Sequence, residues 1–146
     1  MVSTTAADLT GLSPIDAYTP VKVVRTVVFA AVVWFCVAMF IRFGGAAGQF
    51  SGEAGVQTYL ATAIVTVPLN WLARIVAGMP AHKMPLVAAL TLTTTTSLEG
   101  FVMKLFPQVY GGDPAVIGAG AVWLLYAVGL GLGASLITSA FAARRS

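Results

Sequence analysis

No charged side chain occurs between Asp113 and Arg144. A run of this length exceeds the roughly 20 apolar residues that cross a hydrocarbon core. Three further apolar stretches precede it. Of the 146 residues, 58% are hydrophobic and only 9% are charged, whereas a soluble domain carries about 25% charged residues. So few charges cannot cover a water-facing surface, so the chain needs an apolar solvent. At about 20 residues per span plus short loops, the length accommodates four helices and no separate soluble domain. The expected fold is all-α: a polytopic membrane protein, a four-transmembrane-helix bundle. An N-terminal cytoplasmic or interfacial tail would cover 1–20, and a single transmembrane domain 21–143.

Local punctuation places the spans at about 21–43, 54–77, 84–106 and 114–142. The first 20 residues are polar and lack a basic n-region, so they do not read as a signal peptide. Ser13-Pro14-Ile15-Asp16 has the form of a capping box with proline at the first helical position. It predicts a short surface helix that rests Ile15 and Tyr18 on the headgroups. Thr19-Pro20 repeats the start signal for span one, which Gly44-Gly45 should end. The span-one interior (Val27, Val28, Phe29, Val32, Val33, Phe35) is apolar all round and reads as a lipid-facing wall. Gly78-Met79-Pro80 is a stop signal for span two. Asp113-Pro114 is a start signal for span four, with Asp113 as N-cap. Cys36 is the single cysteine, which rules out an intramolecular disulfide.

Charge predicts orientation. Lys22, Arg25, Arg74, Lys83, Arg144 and Arg145 fall at one set of span ends, Arg42 and Lys104 at the other. By the positive-inside rule both termini are cytoplasmic. The net charge of +3 is accounted for by these span-end residues, so no nucleic-acid partner is inferred. Trp71, Tyr110, Trp123 and Tyr126 lie within a few turns of span ends and partly match an aromatic belt. Trp34, in mid-span, does not.

The stretch Met84 to Pro107 carries the candidate polar site. It is apolar, yet it holds Thr91, Thr93, Thr94, Thr95, Thr96 and Ser97, followed by Glu99. An acid at membrane depth costs about 2–4 kcal/mol and marks a functional-site hypothesis. Span two contributes Thr58, Thr62, Thr66, Asn70 and Arg74 at four-residue spacing, a slowly spiralling stripe along one side. Pro68 in the same span frees the carbonyl of Ile64. At a rise of about 1.5 Å per residue, Glu99 comes level with Thr62 and Thr66, and Arg74 lies much nearer the cytoplasm. The candidate site is therefore Glu99 with Thr95, Thr62, Thr66 and Asn70, between spans two and three. Gly129 and Gly133 form a small-xxx-small pair that would let a helix approach closely, within the bundle or in a dimer seam.

The residue types exclude most catalysis. No Ser/His/Asp or Cys/His set and no second acid at the depth of Glu99 is present. No cluster of metal ligands occurs, and His82 reads as a solvated loop residue. No cofactor, metal or enzymatic activity is expected. The partners expected are the lipid bilayer and a second copy or another membrane protein.

Four short spans with one membrane acid resemble the small multidrug resistance transporters in architecture. That family's acid lies in its first helix, and span one here has none. Leu98-Glu99-Gly100, Phe106-Pro107, Tyr110-Gly111 and Trp123-Leu124-Leu125 are similar to an uncharacterised family of small bacterial four-helix membrane proteins. That resemblance implies a bacterial cytoplasmic (inner) membrane location and no activity. The expected function is non-enzymatic, through helix contacts as an oligomer or accessory subunit. The alternative is a proton-linked small-solute carrier or channel using Glu99.

Overall fold

The structure, a computed structural model, describes residues 18–144. The Ser13–Asp16 capping signal, Ile15 and Arg145 lie outside the described residues. Four long helices follow one another: α1 Pro20–Ala46, α2 Gly52–Ala77, α3 Met84–Leu105 and α4 Pro114–Ala143. Two 3-10 turns, Ala81–Lys83 and Pro107–Tyr110, precede α3 and α4. All four helices are long and apolar enough to cross a membrane. Large apolar side chains such as Val28, Ile64, Leu125 and Leu136 point away from the bundle, as expected of a surface solvated by acyl chains.

The punctuation works as its chemistry dictates. Asp113 accepts a hydrogen bond from the Ala115 amide at 2.8 Å, which caps α4. Gly78 adopts φ +61°, its amide donates to Ile75 and the Met79 amide donates to Arg74. That is the paired bonding of a Schellman stop, which satisfies two otherwise free carbonyls. Gly44-Gly45 does not end α1, which continues to Ala46. The turn comes at Gly48, where φ is +78°.

Span one is not apolar to lipid on every side. Thr26, Ala30, Ala38 and Ile41 are buried along one face, with Trp34 half-buried among them. This face makes the most extensive helix contact of the bundle, against α3. Small residues at Ala30 and Ala38 let the backbones come close enough for the Thr95 hydroxyl to donate to the Ala30 carbonyl at 3.3 Å.

Two clusters close the ends. Ala38, Ile41, Tyr110, Trp123 and Leu124 form the core near Arg42. Ala73, Ala77, Met79 and Val87 form the core at the opposite end, where Tyr18 packs against them instead of lying out on a headgroup layer. Gly120 is where α4 meets α1: a Cβ placed there would lie 2.6 Å from the Cγ2 of Ile41. Gly120→Ala should therefore cost about 1–3 kcal/mol by overpacking, read as a lower melting temperature in detergent. An unchanged melt would mean that α1 and α4 do not meet at this level.

Candidate functional site: a buried carboxyl beneath an aromatic turn

Glu99 lies two turns from the end of α3 and is 1% exposed. A carboxyl this enclosed has to find its hydrogen-bond donors in the protein. Two reach it. The Trp34 indole of α1 donates to Oε2 at 3.0 Å. The Tyr110 hydroxyl, carried by the turn that follows α3, donates to the same oxygen. The indole also lies 3.3 Å from the Tyr110 hydroxyl, so the three groups form one closed set. Oε1 is equally buried and has no hydrogen-bond partner among the described residues. A buried acceptor left unpaired costs about 1–3 kcal/mol.

Local sequence explains how Tyr110 returns to Glu99. Phe106-Pro107 stops α3, and the chain turns through Pro107–Tyr110. Gly111 and Gly112 follow at φ +93° and +78°, conformations that glycine adopts without steric cost. The turn thereby folds the Tyr110 ring back over the helix end, where it is fully buried. Arg42 fastens the turn from α1. Its guanidinium donates to the carbonyls of Gln108 at 2.9 Å and Val109 at 3.4 Å. Trp34 and Arg42 thus hold the turn from the same helix, one at its buried face and one at its exposed edge.

Burial, and then the hydrogen bond to Glu99, hold the Tyr110 phenol above its ordinary value of 10.0. It stays protonated and acts as the donor. A raised folded-state value favours the folded protein below the ordinary tyrosine value and loses that contribution as pH rises through the folded one. Stability should therefore be flat from neutral pH to about 9 and fall above 10. Tyr110→Phe should lose part of that alkaline fall in a denaturation series. An identical fall in the variant would show that Tyr110 does not carry it.

The other expected site residues lie elsewhere. Thr62 donates to the Thr58 carbonyl at 2.7 Å and accepts from the Trp123 indole at 2.8 Å. Thr66 donates to the Thr62 carbonyl at 2.6 Å. Asn70 donates to the Gly131 carbonyl at 2.9 Å. The polar stripe of α2 thus serves α4 and its own backbone, and the structure does not bring Thr62, Thr66 or Asn70 to Glu99. Thr95 faces α1 through Ala30. Arg74 caps its own helix end, donating to the Met79 carbonyl at 3.1 Å and lying 4.4 Å over the Trp71 ring. It is not a partner of Glu99, as the depth argument requires.

Among the described residues, Gly129 and Gly133 have no neighbouring atom within 4 Å of an added Cβ. Close approaches of α4 lie instead at Gly120, at Gly131, where Leu92 lies 3.2 Å from an added Cβ, and at Val116, which packs against Gly45 of α1. In the sequence, Trp34 and Tyr110 read only as a misplaced tryptophan and a belt tyrosine. A mid-span indole N–H needs an acceptor, and that need was the available signal. Among the described residues no group of three or more His, Cys, Asp or Glu side chains could hold a metal ion. Comparison with protein-family models, with curated proteins and with solved structures found no match for this chain.

Proposed function

We propose that this protein is a multi-pass protein of a bacterial cytoplasmic membrane that acts through helix contacts, as an oligomer or accessory subunit, without catalysis of its own. The family likeness carried by Leu98-Glu99-Gly100 and its companions belongs to the same reading. The observation that carries it is an open face on α3 and α4. A groove of about 410 Å³ there is lined by Ala89, Thr93, Thr96, Ser97, Val128 and their neighbours. Gly129 is exposed beside Val128, and none of the described residues fills the space over Gly129 or Gly133. Small residues and hydroxyls on a bilayer-facing surface favour association with another helix, because they permit close backbone approach.

Gly129→Leu and Gly133→Leu test this reading. Both sites are open within the chain, so each variant should melt like the parent. Each should lose the oligomer or the co-purifying subunit, read as a smaller particle by light scattering in mild detergent. A particle of unchanged size in both variants would overturn the reading.

Orientation belongs to the same proposal. With cytoplasmic termini, the loop before α2 faces outward. Ser51 is exposed, so Ser51→Cys in a Cys36→Ala background should react with an impermeant maleimide in intact cells. Labelling confined to inverted vesicles would reverse the assigned topology.

A further inference from the structure

We propose that Glu99 is a proton-exchange site closed by the Pro107–Tyr110 turn and latched by Arg42. Three observations converge on it. Both donors that reach the carboxyl end on Oε2, while Oε1 is buried and has no partner among the described residues. One of the two donors comes from a short turn and not from a spanning helix. The turn is fastened at its outer edge by an exposed guanidinium that donates to two of its backbone carbonyls.

The arrangement suits one exchangeable proton. With Oε2 accepting from Trp34 and Tyr110, the proton of the neutral acid resides on Oε1. On release, the Oε1–H bond breaks and an O–H bond to an entering water forms, giving hydronium and a carboxylate, with no change in oxidation state. The Trp34 and Tyr110 donors already point at the carboxylate and support its charge. Water reaches Oε1 only when the turn lifts, because the site is otherwise closed. Lifting breaks the two Arg42 bonds, withdraws the Tyr110 ring and turns about Gly111 and Gly112. The proton therefore enters and leaves from the Arg42 end of the bundle.

Tyr110 is the titratable group that touches Glu99. The charged residues at this end are Arg42 on α1, Glu53 on α2, Lys104 on α3 and Asp113 before α4. All four are exposed, so bulk water screens them from the buried carboxyl.

The test uses the full chain in lipid vesicles and infrared difference spectra in H₂O and D₂O. A carboxylic-acid C=O band is expected that Glu99→Gln removes. Its deuterium shift should be slow in the parent, because exchange waits on a local opening. Arg42→Gln should speed that shift by about tenfold or more. Both Arg42 bonds come from Nη1, so Arg42→Lys keeps the charge and a donor on a shorter side chain and should fall between the two. Amide exchange in 73–77, at the far end of the bundle, should stay at the parental rate in both variants, which separates lifting of the turn from general unfolding. Absence of a Glu99-dependent band, or the same exchange rate in parent, Arg42→Lys and Arg42→Gln, would overturn the proposal.

Discussion

Tyr110→Ala should lower the unfolding free energy by about 3–5 kcal/mol, the range for removing a buried aromatic ring. The ring is fully enclosed by a cluster that includes Ala38, Ile41, Trp123 and Leu124. No acyl chain can enter to replace it, so a cavity remains. Glu99 loses one of its two donors at the same time. Tyr110→Phe provides the internal comparison. It keeps the ring and loses only the hydroxyl, which should cost about 1 kcal/mol. Reversible unfolding in mixed micelles would measure both. Equal losses in the two variants would show that the ring contributes no packing and that only the hydrogen bond matters.

Replacing Glu99 separates its shape from its acceptor. Glu99→Leu fills a similar volume but gives Trp34 and Tyr110 no oxygen to bond. Each stranded buried donor costs about 1–3 kcal/mol. The indole recovers part of this through the Tyr110 hydroxyl, 3.3 Å away. A net loss of about 2–4 kcal/mol is expected. Glu99→Gln should cost under about 1 kcal/mol, because its carbonyl oxygen can still accept from both donors and its amide takes the place of the unpartnered Oε1. If Glu99→Gln is as damaging as Glu99→Leu, the carboxylate charge holds the site together and the two hydrogen bonds are secondary. If neither variant loses stability, the contact of Glu99 with α1 and the turn is energetically idle.

Trp34→Phe should behave like the milder member of this set. It removes one donor at 3.0 Å and leaves the half-buried ring position filled. The Glu99→Leu and Trp34→Phe changes should be non-additive, since both remove the same contact.

The sequence alone was enough to decide that the chain forms four long helices and roughly where each begins and ends. The reason is local. Uninterrupted apolar runs set helix length, and Asp113, Pro114, Gly78 and Pro107 act on backbone groups within a few residues of themselves. Depth along each helix was equally legible, because the rise per residue is fixed. It placed Arg74 away from Glu99, and the structure agrees. What a single chain does not encode locally is azimuth and neighbour. Thr62 and Thr66 are level with Glu99 by depth, yet their side chains serve α2 and α4. The carboxyl faces α1, and its partners lie 65 residues before it and 11 after it in the chain. Which helix stands beside α3 follows from how small residues let backbones approach. Ala30 and Ala38 admit α3, Gly120 admits Ile41, and Gly131 admits Leu92. That selection is made among all helix faces at once, so it is settled only when the bundle packs. The span-one residues that read as lipid-facing, such as Val28, Val32 and Phe35, are exposed, whereas the buried stripe of Thr26, Ala30, Ala38 and Ile41 and the tryptophan that reads as misplaced acquire their roles only there.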